Sequence, residues 1–184
     1  MKKIIIAGSE GLIGKSLIQD LNKIKDIECI KADKVLGCDF SNEENVIEFM
    51  KEHSDSDYLI NLFAINDHVE VGKTNPSLFE ISLESLREYC EINLVALFSV
   101  CRTFAKYCNN AKSIVNFSSL YGMVSPKKSI YSSGEKHIGY TITKHGVVGL
   151  TRHLSTHLSP LRVNCLVPGG LLHDQDKSFI DEYS

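Results

Sequence analysis

The sequence predicts an α/β fold, a doubly wound parallel sheet in three layers with helices on both faces. Three observations predict it. Short apolar runs alternate with longer stretches of helical periodicity along all 184 residues. The first run empties directly into a glycine-rich turn, "GSEGLIG". A hydrophobic content of 43% with 23% charged residues is that of a chain with a real core. A length of this order suits one domain, spanning 1–184.

"KKIIIAG" (2–8) reads as a buried strand, and 12–25 as the helix after it. "IECIKAD" (27–33) is a second strand and "VLGCD" (35–39) a short third. Ser41 and Glu44 form a capping box for a helix over 42–53. "DYLINLFA" (57–64) is a fourth strand. The span 82–108 reads as one long helix, with Leu83, Leu86, Cys90, Leu94, Leu97, Cys101 and Phe104 in a single stripe. "KSIVNFSS" (112–119) is a fifth strand, 137–157 a helix ending before Pro160, and "LRVNCLVPGG" (161–170) a sixth strand with its exit turn. No repeat or linker interrupts the series.

Several function classes are disfavoured. A net charge of −3, with no basic run longer than two lysines, gives no footprint for nucleic acid. No stretch approaches the roughly 18 apolar residues of a membrane span. The opening "MKKIIIAGSEG" has two lysines before an apolar run, but Ile4 to Ala7 is too short for a secretory core and reads as the first strand. Six cysteines form no C-x-x-C pair, the pattern of reduced thiols in a cytoplasmic protein. His153 and His157 have helical metal-pair spacing, but Leu154 stands where H-E-x-x-H needs glutamate, so no metal is expected.

The turn after the first strand places Gly8, Gly11, Leu12, Ile13 and Gly14 where backbone N–H groups and a helix N-terminus can cradle a pyrophosphate. The spacing is G-x-x-G-x-x-G, wider at its start than the plain dinucleotide fingerprint. Asp33, ending the second strand, can accept from an adenosine ribose and repel a 2′-phosphate, which favours NAD over NADP. Lys34 beside it could receive that phosphate, so NADP stays open. Asp39 and Phe40, in "CDFS", stand at the adenine end.

"GYTITKHG" (139–146) puts Tyr140 and Lys144 on one helix face, about 6 Å apart along the axis and about 40° around it. Chance supplies roughly 0.6 Tyr-x-x-x-Lys matches in a chain with 7 tyrosines, so the pair needs company. "SSLYG" provides it at the end of the fifth strand, where alternation turns Ser118 and Ser119 to opposite faces. A tyrosine acting as a base at neutral pH needs its phenolate stabilised by up to about 3 pKa units, roughly 4 kcal/mol. A lysine ammonium and an oxidised nicotinamide both push that way.

In order along the chain, "GSEGLIG", "CDFS", Asn93 in "EINLVALF", "IVNFSSLYG", "YTITKHGVVGLTR" and "LRVNCLVPGG" resemble the landmarks of the short-chain dehydrogenase/reductase family. The resemblance implies a Rossmann-like fold, a bound NAD (or NADP) and hydride transfer to or from a small-molecule substrate with a hydroxyl or carbonyl. It makes Tyr140 the acid/base and Lys144 the residue that lowers its pKa and binds the nicotinamide ribose. Ser119 would hold the substrate oxygen, and Asn93 a proton-relay water. Asn61, Pro168 and Gly169 fall among the cofactor contacts.

Leu62, Phe63 and Ala64 depart from the family's Asn-Asn-Ala-Gly stretch after Asn61. Ser119 and Tyr140 stand 21 positions apart, against about a dozen in the shorter members. The extra residues, in "SPKKSIYSSGEKHIG", make a longer substrate-side loop in which Lys127 and Lys128 could meet an anionic group. The run from "SSLYG" to "GLTR" resembles a subgroup associated with flagellin modification and surface-sugar biosynthesis, which suggests a sugar substrate. The three-glycine spacing resembles the extended epimerases and dehydratases, the alternative reading; a non-catalytic binding or assembly member is another. The resemblance further implies a substrate-covering helix pair and a seventh strand beyond Gly170, so these 184 residues are expected to be a C-terminally truncated chain whose sixth strand is left a bare edge. The expected assembly is a homodimer or homotetramer.

Overall fold

The computed structural model describes residues 1–66, 76–131 and 135–171. Expectations for the chain after Leu171, and for residues 132–134 of the long loop, fall outside these. The elements are β1 (Lys2–Ala7), α1 (Leu12–Leu21), β2 (Ile27–Ala32), α2 (Glu43–Glu52), β3 (Tyr58–Asn61), α3 (Leu83–Cys90), α4 (Leu97–Tyr107), β4 (Ser113–Phe117), α5 (Ile138–His157) and β5 (Arg162–Leu166). The strands form one sheet in the order β2-β1-β3-β4-β5, with every pairing parallel.

β1 is apolar almost throughout because both of its faces are covered. Ile5 and Ala7 face a core shared with Val46 and Met50 of α2, Val100, Cys101 and Phe104 of α4, and Val147 and Leu154 of α5. Ile4 and Ile6 face the other way, against Ile18 of α1. β2 lies on one side of β1 and β3 on the other, so the strand order reverses there. In open α/β sheets ligands bind beyond the strand C-termini at such a point. Ala7 and Asn61, paired in register, end the two strands at the mouth of that crevice.

Three expectations are corrected. "VLGCD" is not a strand: Asp33 caps a 3₁₀ turn over Lys34–Leu36, which Gly37 closes at φ +91°. Val35 and Leu36 are exposed, so these apolar residues had no sheet to join, and the described sheet has five strands. The cap of α2 is Asn42, whose Oδ1 accepts from the N–H of Glu44 and of Asn45. Ser41 bonds to Asp39 instead.

The long helix is broken by a π-turn over Glu91–Ala96. One extra residue per turn rotates the downstream helix by about 100°. The predicted stripe therefore splits. Leu97, Cys101 and Phe104 are buried after the turn, but before it Leu83 is exposed and Tyr89 is the buried residue.

Candidate active site

The phosphate end of the crevice is made of backbone. Gly8 has φ +85°, and a Cβ there would stand 2.6 Å from the Phe63 nitrogen. A Cβ on Gly14 would stand 2.4 Å from the Gly8 carbonyl oxygen, so α1 begins in direct contact with the turn. Gly11 is the N-cap of α1, gives no side-chain cap, and no acidic residue occupies the first turn. The amides of Leu12, Ile13 and Gly14 are thus left by side chains for a ligand, and the positive helix end is uncompensated. This is the cradle that a pyrophosphate fits.

Asp33 ties β2 to this turn, Oδ2 accepting from the Glu10 amide (3.0 Å) and Oδ1 from the Val35 amide (3.2 Å). Lys34 pairs with Asp39 at 3.3 Å. Hydrogen bonds from Ser41, with Lys34 adding, hold the Asp39 carboxyl below the usual range. Phe40 turns its ring into the core, stacked on Phe63 with centroids 4.4 Å apart, instead of towards an adenine. Asn61 is buried as well. Its Nδ2 donates to Asn116 Oδ1 (2.8 Å), Asn116 Nδ2 donates to Thr151 Oγ1 (3.0 Å), and Asn61 Oδ1 has no partner among the described residues. Its side chain braces β3, β4 and α5 beneath the crevice.

The other end is made of side chains. The two serines part as alternation requires. Ser118 is buried and donates to the Lys144 carbonyl (2.7 Å), fixing β4 to α5. Ser119 caps the 3₁₀ turn Leu120–Gly122, accepting from the Tyr121 amide (3.2 Å), and remains partly exposed. Ser118 N–H donates to Leu166 and Leu120 N–H to Pro168, so the exit of β5, with Gly169 next, runs alongside. Lys144 is buried, and its Nζ donates to the Phe117 carbonyl at 2.8 Å. Burial pushes its pKa down to about 8. The same ammonium lies 5.7 Å from the Tyr140 ring centroid.

Asn93 sits in the π-turn with its amide fully engaged. Oδ1 accepts from the Ile65 amide (2.8 Å), while Nδ2 donates to the Ile65 carbonyl and to Thr143 Oγ1 (3.1 Å each). It clamps the loop after β3 to α5, one residue before Lys144. His137 caps α5, Nδ1 accepting from the Gly139 amide (3.0 Å), and its ring stacks on Tyr89. Since Nδ1 accepts, Nε2 carries the hydrogen and donates to Ser85 (3.0 Å), so this histidine does not activate that serine.

Sequence reasoning missed Lys136. Its Nζ lies 4.5 Å from the Tyr140 ring centroid and is hydrogen-bonded to Asn66 Oδ1. Lys136 stands four positions before Tyr140, the same spacing as Tyr140 to Lys144, but it precedes the first helical residue, Ile138, so its approach to the ring is set by the loop rather than by a helix face. Lys128, expected to face substrate, pairs with Glu135 in its own loop. His153 and His157 stack on each other with centroids 3.9 Å apart.

A parallel sheet with a glycine turn at its switch point, and with Ser119, Tyr140 and Lys144 on the turn and helix that follow β4 at the same edge, is an arrangement suited to a dinucleotide-dependent oxidoreductase. Comparison with known proteins makes this specific. Residues 17–182 match the family model described as Enoyl-(Acyl carrier protein) reductase. The chain belongs to the short-chain dehydrogenase/reductase family, whose members use NAD(P). It is 26% identical to post-translational flagellin modification protein A of Campylobacter coli, covering 99% of this chain and 82% of that one. It is 24% identical to L-fucose dehydrogenase of Oryctolagus cuniculus, over 92% of this chain and 54% of the relative. A short-chain dehydrogenase from Leptospira borgpetersenii, solved with bound NAD+, superposes with a TM-score of 0.77 at 25% identity, over 99% of this chain and 76% of that one. Among the described residues no helix is long and apolar enough to cross a membrane.

Proposed function

We propose that this chain transfers hydride between NAD(H) and a carbon bearing a hydroxyl or carbonyl, on a sugar or sugar derivative that ends in surface-glycan or flagellin modification. The observation that carries the reading is the contact of Lys144 Nζ with the Tyr140 ring, at 5.7 Å, on the helix that follows the Ser119-capped turn at the same C-terminal sheet edge as the glycine cradle. When bound, the nicotinamide supplies or receives the hydride. Ser119 Oγ holds the substrate oxygen, and Tyr140 Oη gives up or takes the proton at that oxygen. Lys144, buried against the Phe117 carbonyl, keeps a positive charge by the phenol and favours its ionised form. Asp33 favours NAD over NADP, and the pairing of Lys34 with Asp39 supports this by occupying the nearest cation.

The likeness to L-fucose dehydrogenase and to the flagellin-modification protein supports the sugar class. Leu83, Leu86 and Val95 line a shallow apolar hollow along α3 and the π-turn, which supports a homodimer or homotetramer. Light scattering tests that assembly. The substrate reading is tested by following NADH absorbance with free and nucleotide-activated sugars beside acyl-thioester substrates. Net, Tyr140-dependent turnover of a sugar is expected. Turnover of the acyl substrates alone would move the substrate class. NAD retained without net reduction would favour the epimerase or dehydratase reading, for which the wide glycine spacing speaks.

A further inference from the structure

We propose that Lys136 is a second cation on the acid/base phenol, a positioning residue that lowers the energy of the Tyr140 phenolate together with Lys144. The inference rests on the reading of Tyr140 as acid/base. Lys136 Nζ is closer to the Tyr140 ring centroid (4.5 Å) than Lys144 Nζ is (5.7 Å). An ammonium over an aromatic face is attracted to the neutral ring, and more strongly once the ring shares the charge of a phenolate.

The placement is built rather than incidental. Asn66 holds the Lys136 ammonium, and Asn66 follows Ile65, whose backbone is clamped at both its N–H and its C=O by Asn93. The same Asn93 amide reaches Thr143 on the helix that carries Tyr140. One chain of hydrogen bonds thus runs from the π-turn through the loop after β3 to Lys136, and fixes α5 as well. Lys144 is buried, which works against its charge, whereas Lys136 is half-exposed and bears less of that desolvation.

Among the described residues, the other titratable groups packed around α5 begin with Tyr89, buried and stacked on His137. Tyr121 and Tyr131 share a hydrogen bond of 2.8 Å between their hydroxyls, and Cys165 of β5 acts on Lys144. Glu135, next to Lys136 in sequence, is paired with Lys128, and His137 is engaged in the helix cap. Glu84, Arg87 and Glu88 of α3 and Glu91 of the π-turn are exposed.

The test measures the phenol itself. Tyrosinate ultraviolet absorbance is titrated in the wild type, Lys136→Met and Lys136→Arg, each corrected by its own Tyr140→Phe counterpart. Lys136→Met should raise the Tyr140 pKa by about half to one unit, and Lys136→Arg should keep most of the wild-type value. Asn66→Leu, which leaves the charge but removes its tether, should give an intermediate shift. The acidic limb of kcat/KM should move with the titration. An unmoved phenol in Lys136→Met, or an equal shift in Lys136→Arg, overturns the proposal even if Tyr140→Phe is inactive. An active Tyr140→Phe enzyme overturns the acid/base reading, and with it any catalytic consequence of Lys136, whatever the titration shows.

Discussion

The two ends of the crevice are built on opposite principles. At the glycine turn the ligand-facing groups are backbone amides, and the side chains are missing because there is no room for them: Cβ atoms on Gly8 and Gly14 would meet backbone at 2.6 and 2.4 Å. At the phenol end the backbone is a frame and the groups proposed to act are side chains, each held by a partner from another element. Lys144 is held by β4, Asn93 by the loop after β3, and Lys136 by Asn66. The first end tolerates almost no substitution in shape but is indifferent to proton state. The second is also tight in places, since a Cβ on Gly122 would stand 2.6 Å from the Lys144 carbonyl oxygen, and it is sensitive to charge as well.

The largest expected effect breaks the phenol end alone. Tyr140→Phe removes one oxygen and its proton, so turnover should fall by about 10³-fold or more, while NAD affinity measured by calorimetry stays within about twofold. Equal losses in both would mean that the two ends are not separable. Gly14→Ala is the converse. The new methyl meets the Gly8 carbonyl and cannot move away from it, since both partners are backbone. A loss of about 2–3 kcal/mol in urea unfolding and of detectable NAD binding is expected. A normally stable Gly14→Ala protein that binds NAD would show that the turn has slack.

The same contrast explains what the sequence made legible. Strand-turn-helix order and the glycine positions are local, and each of the five strands was visible as an apolar run. "VLGCD" misled because apolar content alone does not show whether a neighbouring strand is available to pair with. Here a side-chain cap on Asp33 and the positive φ of Gly37 turn the chain first. The π-turn left no mark because one inserted residue changes phase rather than composition, so a seven-residue stripe looked continuous. Tyr140 and Lys144 were found because one helix holds both. Lys136 and Asn66 stand 70 positions apart and meet only through the fold.

A smaller effect sharpens the charge sensitivity of the phenol end. Lys144 has a folded pKa of about 8 against its ordinary 10.5, so between those values the unfolded chain binds more protons and stability rises with pH. Buried Cys38, Cys101 and Cys108 act oppositely. Burial pushes them up to about 11, about 12 and about 12, and their contribution is lost as pH rises above 9. Comparing wild type with Lys144→Met cancels the cysteines. The stability difference should move by about 2–3 kcal/mol in favour of wild type between about pH 7 and pH 10.5 in urea titrations. A difference that is flat with pH would show that Lys144 is not desolvated in the folded protein.

The smallest effect concerns Asp33, the carboxylate that ties β2 to the backbone end. Both of its oxygens already accept, from the Glu10 and Val35 amides, so the carboxylate positions the glycine turn in addition to the ribose contact proposed for it. Asp33→Ala mixes those roles and should weaken both cofactors. Asp33→Asn removes the charge and keeps one of the two acceptors, so it loses either the Glu10 or the Val35 bond; that loss is common to both cofactors, and the ratio of their affinities reads the repulsion of a 2′-phosphate. The NAD-to-NADP affinity ratio should fall by about tenfold, on the order of 1.4 kcal/mol, mainly through tighter NADP binding. If the ratio in Asp33→Asn equals that of the wild type, charge at this position does not select the cofactor. Lys34→Ala then becomes the informative variant, because losing its pairing with Asp39 at 3.3 Å leaves that second carboxylate to meet the phosphate alone.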